Sequence, residues 1–419
     1  MKNPHAPSPL QVPEFRRLTA ISITVALGFG MVIPVLPDFA RSFGVGIAAI
    51  GLIQLVFGLT RFSFGVVGGL AVDRFGERTT TMTGILIVAL SSYAAGLSQS
   101  FLQLVLARGF GGAGSALFIA GLMNRILRII EPAAMGRATG IFRSSFLIGI
   151  GLGPLFGGLA GDELGLSAPF HIYATGLLVA ASIAWFAMAG EPARGRAEKK
   201  TPLQALRAAA PLFSDLRYTA ALAATFVGWW TISGPAQILG VVFAKDELGF
   251  SGAQVGAALT LLSLGELVVL PLAGRAADSY GRRAVLVPAL ALSAVSVAAV
   301  GRIETAPLLF YALMALIGAS VAAGSTAAGG LLADSVPRSG SGAAVGMNQM
   351  AGDLGYLTAP TALGYVAQSS FQLAYLLAAA PAALVLVVAL RLPGRRSKGP
   401  PGAAGDLQAA EPEPAEPVG

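Results

Sequence analysis

The chain has 419 residues, of which 55% are hydrophobic and 12% charged, about half of the roughly 25% charge found in soluble domains. Two histidines and no cysteine exclude a disulfide framework, a thiol nucleophile and a Cys/His zinc or haem site, so neither metal nor cofactor is expected. The excess of 28 Lys and Arg over 21 Asp and Glu would hint at nucleic acid in a soluble protein, but its distribution is that of a membrane protein, and no nucleic-acid partner is expected.

The first apolar run, 18–39, is entered through Arg16 and Arg17 and has no early small-residue cleavage site, so it is expected to remain as a helix. Runs at 48–72, 80–98, 101–124, 137–161 and 169–189 follow, and after a polar break come 218–243, 252–273, 284–301, 306–332, 341–366 and 371–391. Each approaches the length of about 20 residues that crosses roughly 30 Å of hydrocarbon. Glycine and proline fall inside these runs, where a bilayer tolerates them. The expected fold is an all-α membrane protein, with twelve transmembrane helices in two pseudo-symmetric six-helix bundles. With the N-terminus inside, the far side keeps only Arg41, Lys245 and Arg302 of the basic residues flanking these runs. The positive-inside rule then places both termini in the cytoplasm of a multi-pass cell-membrane protein.

Residues 1–17 form a cytoplasmic N-terminus, 18–189 the first bundle, 190–217 a polar, basic cytoplasmic linker and 218–391 the second bundle. The Pro- and Glu-rich tail, 392–419, is too polar to pack and is expected to be disordered. The halves repeat. Gly69, Asp73 and Gly76 in GGLAVDRFGER recur as Gly274, Asp278 and Gly281 in AGRAADSYGRR, at an offset of 205 residues. Gly140, Gly149, Pro154 and Gly158 recur as Gly346, Gly355, Pro360 and Gly364, at an offset of 206. A parallel duplication of six-helix halves suits a substrate site near the midplane, reached from alternate sides as the halves rock.

At these residues the chain resembles the major facilitator superfamily. GGLAVDRFGER lies where the family has its signature loop between spans 2 and 3. The resemblance implies a cytoplasmic latch onto span 11, made of Gly69, Asp73, Arg74, Gly76 and Arg78, with a second copy in Gly274, Asp278, Gly281, Arg282 and Arg283. Asp73 and Arg78 are expected to form its charge cluster. Glu77 replaces the usual basic residue and is expected to weaken the latch or to pair with Arg74. GIGLGPLFGG in span 5, with Gly149, Gly153, Pro154, Gly157 and Gly158, resembles the antiporter motif of twelve-span drug:proton exporters, and GFGMVIPVLP in span 1 resembles a second exporter signature. Gly149, Gly153 and Gly157 share one helix face, so a neighbouring helix can approach closely there.

Charges within a bilayer are costly and point to function; here they are Arg61, Arg108, Arg143, Glu266 and Asp353. Arg108 matches the family's span 4 arginine, implicated in proton coupling or substrate contact, and Glu266 and Asp353 are the proton-carrier candidates. The family's facing of span 2 on span 11 and of span 5 on span 8, combined with helix depth at roughly 1.5 Å per residue, predicts two inter-half ion pairs. These are Arg61 with Asp353 and Arg143 with Glu266, closed when the cytoplasmic side is closed. The family's central cavity, lined by spans 1, 4, 7 and 10, maps here onto Arg108, Trp229, Trp230, Gln237, Ser325 and Thr326. Such a wall suits a hydrophobic or amphipathic small molecule.

The chain is therefore expected to be a secondary transporter and not an enzyme, exporting a drug-like substrate in exchange for protons, and to work as a monomer in the lipid bilayer. An importer of a sugar, organic acid or other nutrient is the alternative. An ATP-driven pump is disfavoured because no GxxxxGK[ST] occurs, and an intramembrane enzyme because GxSxG and any His/Asp or Cys/His constellation are missing.

Overall fold

The computed structural model describes residues 8–131, 134–188, 210–303, 306–336 and 341–393. Most of the 190–217 linker, the tail beyond 393 and the first seven residues lie outside them. Span 1 is Pro13–Val32, continued by the short helix Leu36–Arg41. Spans 2 and 3 form a single helical run, Ile47–Gly96. Spans 4, 5 and 6 are Phe101–Ile129, Met135–Leu164 and Ala168–Ala187. Span 7 is Leu216–Thr231, a π-helical turn Ile232–Ile238 and Leu239–Asp246. Spans 8 to 12 are Gly252–Tyr280, Arg282–Val300, Pro307–Ser335, Ser341–Ala367 and Phe371–Ala389. Helices throughout satisfy every backbone polar group within the segment, which a bilayer demands.

The duplication visible in the sequence is a duplication of backbone geometry. The one break in the Ile47–Gly96 run is Gly76, at φ 82° and ψ 164°, a conformation that a side chain makes strained. Its repeat mate Gly281, at φ 96° and ψ 160°, separates spans 8 and 9 in the same way. Span 7 departs from the expected plain helix. Pro235 has no N–H to donate to the carbonyl four residues back, and the ladder slips into the wider π turn Ile232–Ile238.

Within each half the same neighbours recur: span 1 packs on span 5 as span 7 packs on span 11, and span 3 on span 6 as span 9 on span 12. The span 5 glycine row is a contact surface for span 1. A Cβ added at Gly149, Gly153 or Gly157 would lie 2.6, 2.3 or 1.9 Å from the carbonyl oxygen of Ile23, Leu27 or Met31, so two rows spaced by four residues lock together. The halves meet through spans 5 and 8 and through spans 2 and 11. Gly158 abuts the Gly252 carbonyl, and Gly51 the Thr361 backbone. Nearer the side that carries both termini, a Cβ at Gly65, Gly140, Gly274 or Gly346 would meet nothing within 4 Å. The halves are thus joined from their far ends to about mid-depth and parted on the termini side.

Candidate functional site

The far side is closed by charge. At the end of span 1, Arg41 donates to both carboxylate oxygens of Asp246 at the end of span 7, at 2.7 and 2.6 Å, a bidentate geometry. By accepting these hydrogen bonds, Asp246 raises the Arg41 pKa above its usual value. One turn deeper, Lys245 is paired with Asp38. Asp162 of span 5 accepts from the Gly252 and Ala253 N–H groups at 2.9 and 2.8 Å, so a carboxylate of one half caps the first turn of span 8 in the other, where the helix dipole favours it. Sequence analysis did not single out this set. One signal was available: Arg41 and Asp246 are themselves repeat mates, 205 residues apart, and equivalent residues meet at a pseudo-two-fold axis.

At mid-depth the charges make no ion pair among the described residues. Arg61 and Asp353 form no ion pair, nor do Arg143 and Glu266. Asp353 instead accepts a 3.0 Å hydrogen bond from Gln349 of its own helix. Both expected clamps are therefore open in a conformation whose termini side is parted.

The cavity residues divide. Arg108 is only 2% exposed and does not line an open wall. Its guanidinium lies 5.1 Å from the Phe57 ring and 5.8 Å from the Phe29 ring, its Nε has no hydrogen-bond partner, and it makes no ion pair among the described residues. Trp229 is 44% exposed and meets Tyr356 of span 11 edge to face. Trp230 instead turns away, its indole donating to the Ala378 carbonyl of span 12 at 3.0 Å, an inward anchor for a ring that would otherwise bury an unpaired N–H. Gln237 is buried in the π turn with its Oε1 unpartnered. The hydroxyls of Ser325 and Thr326 donate to the Ala322 carbonyl one turn back and are partly buried.

The two signature loops are wired differently from expectation. Asp73 is exposed and has no partner among the described residues, while Arg78 stacks on Trp185 of span 6 at 3.8 Å; the expected Asp73–Arg78 cluster is not formed. Glu77 does not pair with Arg74, whose guanidinium lies over Phe75. It is buried against span 4, bound by Arg128 at 2.9 Å and Arg125 at 3.4 Å, and Arg125 also pairs with Glu14 of span 1. Arg125 and Arg128, three residues apart, share a helix face, which is why the acid finds both. In the second half the polarity is reversed: Arg282, the mate of Glu77, binds Asp278 at 2.7 Å and Asp334 of span 10 at 3.5 Å. Each loop is tied to its own half.

This architecture can be compared with known proteins. The family model "Major Facilitator Superfamily" matches residues 18–244 and again 221–417. The chain belongs to the Major Facilitator Superfamily. It is a multi-pass membrane transporter. Over 159 residues it is 30% identical to Multidrug resistance protein 1 of Bacillus subtilis, covering 37% of this chain and 40% of that one. Over 133 residues it is 27% identical to the Quinolone resistance protein NorA of Staphylococcus aureus, covering 31% and 34%. The chain thus matches well under half the length of either relative. The fold is similar to that of the nucleoside transporter NupG, with TM-score 0.73 at 16% identity over 90% of this chain and 98% of that one. It is also similar to a bacterial homolog of the lysosomal transporter Spinster in an inward-facing conformation, with TM-score 0.70 at 17% identity over 90% and 94%.

Proposed function

We propose that this transporter exports a hydrophobic or amphipathic small molecule in exchange for protons, from a cell membrane in which both termini are cytoplasmic. The observation that carries the coupling is the contrast between the two ends of the inter-half interface. The two far-side ion pairs are formed, while among the described residues Glu266 and Asp353 make no ion pair at membrane depth, where an unpaired carboxylate is costly. With both termini cytoplasmic, the parted termini side is the side from which an exporter loads. Closing that side brings Arg61 to Asp353 and Arg143 to Glu266; protonating either acid removes one charge and releases its clamp. Arg108, a permanent cation among aromatic rings, sets the field in which a proton or an anionic substrate group binds. Drug-like cargo is supported by the span 5 glycine row packed on span 1 and by the names of the two resistance proteins.

A cell accumulation assay tests this. Expression should lower retention of a lipophilic fluorescent dye, and collapsing the proton gradient should abolish the difference. Arg108→Ala should do the same at unchanged membrane expression. Raised retention would mean import, and export that persists without a gradient would exclude proton coupling.

A further inference from the structure

A cavity of about 670 Å³ lies at the termini-side end of the second half, between the start of span 7, the span 8–9 turn and the ends of spans 10 and 12. Arg217, Arg282 and Arg283 line it. Arg282 is neutralised by Asp278 and Asp334. The other two are not: the Arg217 side chain has no partner among the described residues, and Arg283 spends one nitrogen on the Leu392 carbonyl at 2.8 Å. The first turn of span 9 opens beside them without a side-chain cap, adding its N–H groups to the positive potential.

The duplication shows how the side chains here differ from those of the first half. In the first half Arg78, the mate of Arg283, is covered by the Trp185 ring of span 6, and the mate of Arg282 is an acid, Glu77. In the second half the end of span 12, from Val385 to Leu392, carries no aromatic side chain. Among the described residues no ring stacks on Arg283. The rim is open: beside the exposed carboxylates of Asp278 and Asp334, which hold Arg282, it carries two exposed large side chains, Tyr280 73% and Leu390 49%, at the level where a helix end meets the headgroups.

We propose that this cavity is a binding site for the phosphate headgroup of an anionic phospholipid in the leaflet on the termini side. Arg217 and Arg283 grip the phosphate, and the acyl chains leave over Leu390. Two guanidinium groups without a carboxylate partner among the described residues suit a phosphate diester bidentately, and the exposed Leu390 and Tyr280 side chains select a lipid over a free ion, since inorganic phosphate has nothing to place there. Basic pockets between helices at a membrane face bind anionic headgroups on the same grounds.

Native mass spectrometry of the full chain, purified with phosphatidylglycerol or with phosphatidylcholine, tests the site. Bound phosphatidylglycerol should survive delipidation in the wild type. It should fall more than tenfold in Arg217→Ala with Arg283→Ala, since a single charge-assisted hydrogen bond is already worth roughly tenfold and the variant loses one from each arginine. Leu390→Trp, which fills the cavity and removes no charge, should lower it too. Arg16→Ala with Arg17→Ala removes the same charge elsewhere on that side and should leave retention intact. Equal loss in that control would mean unspecific attraction to basic residues. Displacement by excess inorganic phosphate would mean a free-anion site, and retention in Leu390→Trp would place the lipid elsewhere; each overturns the proposal.

Discussion

Replacing Arg41 and Lys245 together by alanine is expected to open the far side and to slow transport about tenfold. Both ion pairs are partly exposed, with side-chain exposure of 28% and 33% for Arg41 and Asp246 and 15% and 25% for Lys245 and Asp38. Pairs of this kind contribute up to about 1 kcal/mol each. Losing both shifts the balance between the two ends by about 1 to 2 kcal/mol, where 1.4 kcal/mol is tenfold in a population. Gln54, 2% exposed in span 2, reports the change once replaced by cysteine, because the chain has no other thiol. An impermeant maleimide added from the far side should modify it about tenfold faster in the double variant, in line with the same free energy. Asp38→Lys with Lys245→Asp restores one pair in reversed polarity and should return labelling close to the parent rate. Equal labelling in all three proteins would mean that the charges decorate a contact held by packing alone.

The second large effect belongs to mid-depth. Asp353→Arg sets a second arginine opposite Arg61. At 4 Å and an effective dielectric of about 20, two like charges repel by about 4 kcal/mol, so the termini side should no longer close and transport should fall more than a hundredfold. Arg61→Asp should be equally damaging. The two together recreate the pair and should recover transport to within a few-fold, as coupled residues do in a double-mutant cycle. If the double variant is no better than the singles, Arg61 and Asp353 are not partners in any state.

Those residues also mark how far the sequence carries. The twelve spans, their grouping into two halves and the positions of both signature loops were legible, because hydrophobic length, glycine at a forced turn and a fixed repeat offset are local or periodic signals. Gly76 and Gly281, which recur at the fixed offset within the two signature loops, are the residues with positive φ there. The contact between the span 5 glycine row and a neighbouring helix was equally readable, since spacing by four residues defines a face whatever packs on it. Side-chain partners were not. Glu77 was set against Arg74, three residues away, whereas burial drove it onto Arg125 and Arg128 of span 4; nothing in a one-dimensional sequence gives the distance between spans 3 and 4. Trp230 was mapped to the cavity together with Trp229, yet adjacent residues of a helix point about 100° apart, and its ring turns onto span 12. The far-side pairs escaped because their four residues lie outside the apolar core, where charge carries no signal of cost.

A transporter of this architecture works if the two ends of its interface cannot be closed or open together. Two cysteine pairs read both ends at once: Gln99→Cys with Arg302→Cys across the far side, and Leu127→Cys with Ala333→Cys across the termini side, all at exposed positions. Spin-label distances by double electron–electron resonance are then compared in the parent and in Arg41→Ala with Lys245→Ala. The account predicts a short far-side and a long termini-side distance in the parent, and in the variant a new population in which the far side is long and the termini side short, lost again when Asp353→Arg is added. A far side that opens while the termini-side distance stays long would contradict it.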